Sequence, residues 1–264
     1  MPEIPFLRLA ALTRDVEDAG SPHHLNLTIN VAGIDVAAAE FTADRPTAQG
    51  YLQRAQAVVS FNSEALTNSS VRLGIRGDDA WAPQHILLFG QTSRDSVVPL
   101  AMETDLSVWL SADANEGPLT IPLRLVTLGG SDMVIHRLLL LVQTADRRHA
   151  GTDSLVQLQV KGGANLLFSE VITDTTQDDM ERALSNWYEF GVSPPFTRAD
   201  IASAGEITLT MLGNDAWLPA SLFLFGLNTA SGRPTNLVPL AGVPVWNKGW
   251  LSSDESEGTK VVRL

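Results

Sequence analysis

Cysteine is absent from this chain of 264 residues. Its absence excludes disulfides, thiolate zinc sites and a cysteine nucleophile, and it leaves the cellular compartment open. Long hydrophobic runs are also missing: the longest purely aliphatic run covers residues 138–142, far short of the roughly 20 residues that span a bilayer. The N-terminus shows no basic segment followed by an apolar core, so no secretory signal is predicted. The compartment therefore stays unknown, with the cytoplasm and export by a route without a classical signal both open.

Basic residues are few: 18 lysines and arginines stand against 30 aspartates and glutamates, which gives a net charge of −12. A surface that follows nucleic-acid phosphates needs an excess of basic residues, so we expect no nucleic-acid partner. Nucleophile elbows, phosphate-binding loops and dinucleotide fingerprints are missing. The five histidines lack the His-x-x-x-His spacing of a zinc hydrolase and are interpreted as surface or loop residues. The sequence therefore predicts a binding protein and not an enzyme.

The two halves of the chain share five short blocks in the same order. The offset between paired blocks grows from 131 to 141 residues, as loop-sized insertions would produce. The blocks begin at the pairs Thr13 and Thr144, Asp79 and Asp215, Leu88 and Leu224, Val98 and Val238, and Trp109 and Trp250. We therefore predict two copies of one domain, residues 1–128 and 132–264, joined at Gly129-Gly130-Ser131.

Apolar and polar residues alternate in several short runs, among them residues 25–29, 155–160 and 207–211. A period of two residues indicates strands that are buried on one face. Clusters of glycine, asparagine, aspartate and proline separate these runs, and no long helical period alternates with them. This pattern favours an all-β fold made of two tandem antiparallel β-sandwiches.

The sequence Ala150-Gly151-Thr152-Asp153 forms a corner just before one of these strands. Its carboxylate and hydroxyl, together with a glycine that lets backbone carbonyls turn toward one point, are oxygen ligands of the kind calcium prefers. The same residue types are also common in solvated turns, where they bond to their own backbone. The residues alone are compatible with a calcium corner and with a simple turn.

This corner and the blocks that follow it resemble the PLAT domain, also called the lipoxygenase homology or LH2 domain. Similar domains are the N-terminal domain of lipoxygenases and the C-terminal domain of clostridial phospholipase C. The resemblance runs through the second copy in the family's order: Thr144-x-Asp146, residues 150–153, residues 178–182, residues 215–219, and Trp250-Leu251 followed by Asp254, Glu255 and Gly258. It implies an eight-stranded sandwich whose loops at one end bind calcium and dock onto a membrane lipid surface or a protein partner.

The resemblance also implies which residues of the second copy would bind calcium. They lie in three loops, and they supply carboxylate, hydroxyl and backbone carbonyl oxygens. The implied ligands are Gly151, Thr152, Asp153, Asp178, Asp179, Glu181, Asp215 and Ala216. One departure from the family is His149, at a position that is acidic in some relatives.

The first copy has lost much of this ligand set. Its corner continues from Ala19-Gly20 into Ser21-Pro22, so a proline replaces the carboxylate of the second copy. An offset of 128, anchored on Arg54 and Arg182, places Gly50, Tyr51 and Gln53 opposite Asp178, Asp179 and Glu181. Asp18 and Asp79 remain, but two separated carboxylates are a poor calcium cage. We predict weak calcium binding by the first copy, or none.

Most tryptophans are predicted to be packing residues. Trp81 and Trp217 recur at one repeat position and Trp109 and Trp250 at another, as expected for rings that anchor strands, and Trp187 lies in a strand-like run and is predicted to be buried. Trp246 differs, because an offset of 141 pairs it with Asp105. A position that accepts aspartate is expected to be exposed, so Trp246 is predicted to contact a membrane or a partner.

The sequence thus predicts a non-enzymatic module that docks onto a membrane surface or a protein under the influence of calcium. Two alternatives remain at this stage. One is a calcium-independent interaction or structural module in which the two copies form a rigid platform. The other is a targeting component of a secreted toxin or effector, which rests on analogy with the enzymes that carry similar domains.

Overall fold

The structure is a computed structural model. It describes residues 3–16, 24–31, 34–42, 50–61, 69–77, 80–172, 180–202 and 205–264. The chain divides into two compact units: unit 1 comprises Met1–Leu128 with Ser231–Asn236, and unit 2 comprises Gly129–Ala230 with Leu237–Leu264. The short segment Ser231–Asn236 therefore belongs to unit 1, although its sequence position lies deep in the second half. In the described ranges, no helix is both long and apolar enough to cross a membrane.

The described residues of unit 1 form nine strands. They are β1 (Ile4–Thr13), β2 (His24–Val31), β3 (Ile34–Thr42), β4 (Tyr51–Phe61), β5 (Ser70–Arg76), β6 (Pro83–Gln91), β7 (Val97–Glu103), β8 (Thr120–Leu123) and β9 (Thr127–Leu128). One antiparallel sheet has the order β4-β1-β6-β7 and a second has the order β3-β2-β5-β8.

In unit 2, the part of the chain that the structure describes forms ten strands and one short helix. They are β10 (Val134–Thr144), β11 (Val156–Gly162), β12 (Asn165–Ile172), β13 (Ser185–Thr197), α1 (Arg198–Ala202), β14 (Glu206–Met211), β15 (Ala216–Trp217), β16 (Pro219–Leu227), β17 (Asn236–Val243), β18 (Leu251–Ser252) and β19 (Val261–Arg263). Strands β13-β10-β16-β17 lie side by side in one sheet, β12-β11-β14-β19 form another, and β15 pairs with β18.

Each unit has its own hydrophobic core, built by strands of its two main sheets. In unit 1, Leu9 of β1 and Leu27 of β2 belong to one buried cluster with Trp81. In unit 2, Leu140 of β10 and Leu158 of β11 belong to the other cluster, again with a buried tryptophan. Side chains from both sheets interdigitate in this way in a β-sandwich. The predicted all-β, antiparallel architecture is therefore confirmed.

The duplication extends to the pairing of individual residues. In unit 1, Leu7 lies opposite Gly90, and in unit 2, Leu138 lies opposite Gly226. The register shifts at the same place in both copies, just before Thr13 and just before Thr144. Because a slip of one residue would turn every side chain to the other face, a shared register means that both copies bury the same set of positions.

This register corrects one alignment made from the sequence. Strand β1 places Ala11 opposite Tyr51, whereas β10 places Val142 opposite Asn186. The offset at this strand is therefore 135 and not 128, and Tyr51 corresponds to Asn186. The proposed match of Gly50, Tyr51 and Gln53 with Asp178, Asp179 and Glu181 is wrong.

The physical reason is an insertion in the preceding loop. The offset is still 131 where β3 and β12 end, since Leu25 pairs with Phe41 and Val156 pairs with Ile172. It is 135 where β4 and β13 begin, so the connecting loop of unit 2 is longer by four residues. Alignment on a shared arginine concealed this insertion.

Candidate functional site

The first loop of the candidate site follows β10 and contains a tight turn. The Ala150 N–H donates to the Arg147 carbonyl at 3.0 Å, and His149 adopts a φ of 63°. Farther along, the Thr152 side chain is buried, and its hydroxyl accepts a hydrogen bond from the Ser154 N–H at 3.1 Å. Asp153, between them, is exposed. The corner predicted from the sequence thus places its carboxylate toward solvent on a loop that is fixed by its own hydrogen bonds.

The second loop lies directly against the first. The Ala183 N–H donates to the Ala145 carbonyl at 3.4 Å. A β-carbon added to Gly151 would lie only 3.2 Å from a carboxylate oxygen of Glu181 and 3.2 Å from the Arg182 nitrogen. Gly151 therefore has a specific role: its missing side chain leaves room for the second loop and brings the Glu181 carboxylate beside the corner.

The third loop joins the first from another side. The Asp215 N–H donates to the Ser154 hydroxyl at 3.1 Å, and the Leu218 N–H donates to the Ala150 carbonyl at 3.0 Å. One carboxylate oxygen of Asp215 accepts the N–H of Ala216 at 2.8 Å. Hydrogen bonds thus join the first loop to the second and to the third.

A buried hydrogen-bond relay lies under these loops. Thr144, with a relative exposure of 1%, accepts a bond from the indole N–H of Trp217 at 3.0 Å. The same hydroxyl donates to the Met180 carbonyl at 3.1 Å. It therefore ties the end of β10 to the second and the third loop at once. In unit 1, Trp81 donates to Thr13 in the same way at 2.9 Å.

In the sequence, Thr144 is visible only as part of a motif, and no role was predicted for it. The signal that could have identified it is the repetition of both partners, since Thr13 and Trp81 recur as Thr144 and Trp217. A polar residue and a tryptophan that recur together are candidates for a buried hydrogen bond, because a buried indole N–H needs an acceptor.

Six of the eight implied calcium ligands lie in the described part of the chain, whereas Asp178 and Asp179 lie outside it. Within that part, no group of three or more histidine, aspartate and glutamate side chains is placed to hold a metal ion. Two of the implied groups already have hydrogen bonds in their own turns, the hydroxyl of Thr152 and one carboxylate oxygen of Asp215. The loops meet, but the described carboxylates do not converge on one point.

Basic side chains accompany these carboxylates. Arg182 of the second loop pairs with Asp146 of the first at 2.6 Å. The Arg147 guanidinium lies 5.7 Å from the centre of the Trp250 ring. Arg148 and His149, at the tip of the first turn, are exposed. The loop end of unit 2 therefore carries both signs of charge, although the whole chain is strongly acidic.

The acidic element near the C-terminus is a self-contained turn. Asp254 accepts the Ser256 N–H at 2.8 Å and the Ser256 hydroxyl at 2.7 Å. These bonds from Ser256 hold the pKa of the Asp254 carboxyl below its ordinary value. Unit 1 repeats the turn, where Asp113 accepts the Asn115 N–H at 2.9 Å. Turn chemistry explains why this acidic element recurs in both copies.

The tryptophans follow the predictions in part. Trp81 and Trp217 are fully buried and Trp187 is 8% exposed, whereas Trp109 and Trp250 are only half-buried.

Trp246 is half-buried rather than exposed. It packs against the core of unit 2, and its indole N–H donates to the Gly249 carbonyl at 2.6 Å.

The different burial of Trp246 has a structural reason. Its backbone N–H donates to the Ala220 carbonyl, and in unit 1 the Leu106 N–H donates to the Gln84 carbonyl, 2.8 and 2.9 Å respectively. The structural counterpart of Trp246 is therefore Leu106, at an offset of 140, and not Asp105. Leu106 also packs against its own core. The position is an apolar cover of the core in both copies.

Comparisons with known proteins identify no relative: no protein-family model, curated protein or solved structure matches the chain.

Proposed function

We propose that the protein is a non-enzymatic binding module that docks onto a membrane surface through the loop end of unit 2, and that calcium modulates this docking. The observation that supports the proposal most strongly is the meeting of three loops at one end of the sandwich. The first loop bonds to the second through Ala145 and to the third through Ser154 and Ala150. Below these loops, the buried hydroxyl of Thr144 bonds to Met180 of the second loop and to Trp217 of the third.

Calcium is the cation that fits the residue types of these loops. Carboxylates of Asp153, Glu181 and Asp215, with backbone carbonyls of the corner, are hard oxygen ligands, and calcium takes six to eight of them. The absent side chain of Gly151 lets the Glu181 carboxylate approach the corner. Asp178 and Asp179 would complete the set. Binding would have to draw these carboxylates together, and the ion would then neutralise them and hold the loops in one arrangement.

Exposed apolar side chains lie beside the same loops. Leu155 and Leu212 have relative exposures of 42% and 46%. They are neighbours, because the Leu212 N–H donates to the Leu155 carbonyl at 2.9 Å. Leu155 directly precedes β11, whose first residue, Val156, is buried. Leu212 directly follows β14, whose last residue, Met211, is buried. Two aliphatic side chains at one tip are suited to enter the interfacial region of a lipid layer.

Calorimetric titration with calcium tests the ion's role. The wild type should give a saturable signal, with a dissociation constant on the order of 10⁻⁴ to 10⁻³ M if the site behaves as extracellular modules do. Asp153→Ala should weaken or abolish it. Glu255→Ala, which removes an exposed carboxylate of the C-terminal turn, is the matched control and should titrate as the wild type does. Equal responses from the wild type and Asp153→Ala would show that the site is elsewhere.

The hydrogen bonds inside the turns support a second candidate, a calcium-independent interaction module. In it, Thr152 and Asp215 only shape their own turns, as their bonds to Ser154 and Ala216 suggest. Thermal unfolding separates the two candidates, because an ion that binds only the folded state raises the melting temperature. A melting temperature that is the same with calcium and with a chelator favours the calcium-independent module.

A further inference from the structure

The tip of the first loop of unit 2 is a turn whose central residues are basic. We call residues 147–150 the arginine turn. Arg148 and His149 are its two central residues, and both are exposed. In the part of the chain that the structure describes, neither side chain takes part in a hydrogen bond or an ion pair. By contrast, Arg147 stacks near Trp250. The guanidinium of Arg148 is therefore available to a ligand.

The hydrogen bond that closes this turn joins backbone atoms and uses no basic side chain. The backbone of the arginine turn is held by the bond from the Ala150 N–H to the Arg147 carbonyl. The φ of 63° at His149 favours residues such as aspartate, asparagine or glycine at that position. The first copy has Val16, Glu17 and Asp18 at the corresponding sequence positions, since Thr13 pairs with Thr144 and Ala19 with Ala150 at the same offset of 131. One copy of the repeat is thus basic in this stretch of sequence, and the other copy is acidic and apolar.

We propose that the arginine turn binds the phosphate groups of an anionic lipid surface, and that it does so without calcium. The inference rests on the proposed function, because it assigns the partner of the same loop end. Guanidinium groups form strong, geometrically defined hydrogen bonds with phosphate. Basic residues held close to an anionic leaflet are attracted by its surface potential.

The neighbouring leucines favour a lipid surface over other phosphate-bearing partners. Leu155 and Leu212 are exposed at the same loop end, which the bond from Asp215 to Ser154 and the contact of Gly213 with Ser154 keep together. A nucleic acid offers phosphates without an apolar layer, whereas a bilayer offers both within a few ångströms of depth. The combination of a basic turn and two exposed aliphatic side chains fits the boundary between headgroups and acyl chains.

Vesicle flotation of the full chain in a chelator tests this inference. The wild type should float with vesicles that contain about 30 mol % phosphatidylserine, but not with pure phosphatidylcholine, and an increase from about 50 to about 300 mM salt should release it. Arg148→Glu should lower partitioning about 30-fold, with about fivefold for the lost positive charge and a similar factor for the added negative charge.

A matched charge reversal provides the control. Arg198 is exposed on α1, which lies by the far end of β11, where a β-carbon on Gly162 would meet the Asp200 carbonyl. Arg198→Glu changes the net charge equally and should retain binding. The triple variant Arg147→Val, Arg148→Glu and His149→Asp copies the Val-Glu-Asp of the first repeat. It should unfold within a few degrees of the wild type, because only the contact of Arg147 with Trp250 is lost, and it should float no better than Arg148→Glu.

Three results would overturn the inference: equal flotation with both lipid compositions, equal loss in Arg148→Glu and Arg198→Glu, or full binding by the variant with Val-Glu-Asp. A calcium arm separates this inference from the proposed function. If calcium increases wild-type flotation while Arg148→Glu behaves as its control, the proposed function stands and the arginine turn is not the contact. If Arg148→Glu alone loses flotation in the chelator and calcium changes nothing, the inference stands and calcium modulation fails.

Discussion

Replacing Thr144 by valine should loosen the loop end of unit 2 while leaving the shape of the core unchanged. Valine is close to threonine in volume, but it lacks the hydroxyl that accepts the Trp217 N–H and donates to the Met180 carbonyl. Both partners would then be buried without a hydrogen bond, at about 1–3 kcal/mol each. We expect a loss of about 2–6 kcal/mol in the free energy of unfolding of unit 2.

Unit 1 supplies a matched comparison. Thr13→Val removes the acceptor of Trp81 and should cost about 1–3 kcal/mol. A surface control is Thr210→Val, since Thr210 is half-buried and its hydroxyl has no hydrogen-bond partner among the described residues. Surface substitutions of this kind usually stay within about 0.5 kcal/mol.

Hydrogen exchange measured by mass spectrometry is the suitable assay, because it reports the two units separately in the full chain. Thr144→Val should reduce protection in β10 and β16, and Thr13→Val should reduce it in β1 and β6. The double variant of Thr144→Val and Trp217→Phe removes donor and acceptor together, so its loss should be smaller than the sum of the single losses. If Thr144→Val changes protection no more than Thr210→Val does, the hydroxyl does not hold the loops and this explanation is wrong.

Two further predictions concern the C-terminal turn. A β-carbon on Gly258 would lie 2.3 Å from the Trp250 carbonyl oxygen, whereas nothing lies within 4 Å of a β-carbon on Gly191. In denaturant unfolding, Gly258→Ala should therefore lower the free energy of unfolding by more than about 2 kcal/mol, and the control Gly191→Ala should lower it by less than about 0.5 kcal/mol. Ser256→Ala should raise the pKa of Asp254 part of the way toward its ordinary 3.8 in an NMR titration, because the hydroxyl bond, the larger of the two causes that lower it, is lost while the backbone N–H bond remains. The stability that these bonds add is fully present above the ordinary pKa of Asp254 and is lost as the pH falls through its lowered pKa in the folded protein. An unchanged pKa in the variant would show that the Ser256 hydroxyl does not lower it.

The prediction of a tandem all-β organisation rested on two features that are visible in the sequence, the repeated blocks and the period of two residues in several strands. Strand β11 shows why: its buried residues alternate with partly exposed ones from Val156 to Val160, and the polar positions are visible in the sequence. The same rule does not describe β10, where residues 138–142 are all buried. A strand that is buried on both faces is uniformly apolar and carries no period.

The loops were less predictable, because residue identity is a weak guide to position outside the ladders. The alignment of Arg54 with Arg182 was wrong, because the pairing of β4 with β1 and of β13 with β10 gives a different correspondence between the copies. The loop before β13 is four residues longer than the loop before β4, and the shared arginine concealed this difference. The partner of Trp246 was missed by one residue for the same reason. In both cases, backbone hydrogen bonds determine which residues of the two copies correspond, and these bonds cannot be read from the amino-acid types.

The way in which the two copies differ also bears on function. Their strands agree in register, in the position of the bulge before Thr13 and Thr144, and in the buried bond from tryptophan to threonine. Their loop ends disagree in the corner, in the basic turn and in the length of the second loop. The β-sandwich tolerates such changes in its loops, because its backbone ladders and its buried bonds from tryptophan to threonine do not depend on the loop residues. The differences therefore accumulate where they cost the fold least and alter a binding surface most, which supports placing the docking role in unit 2 rather than sharing it between both units.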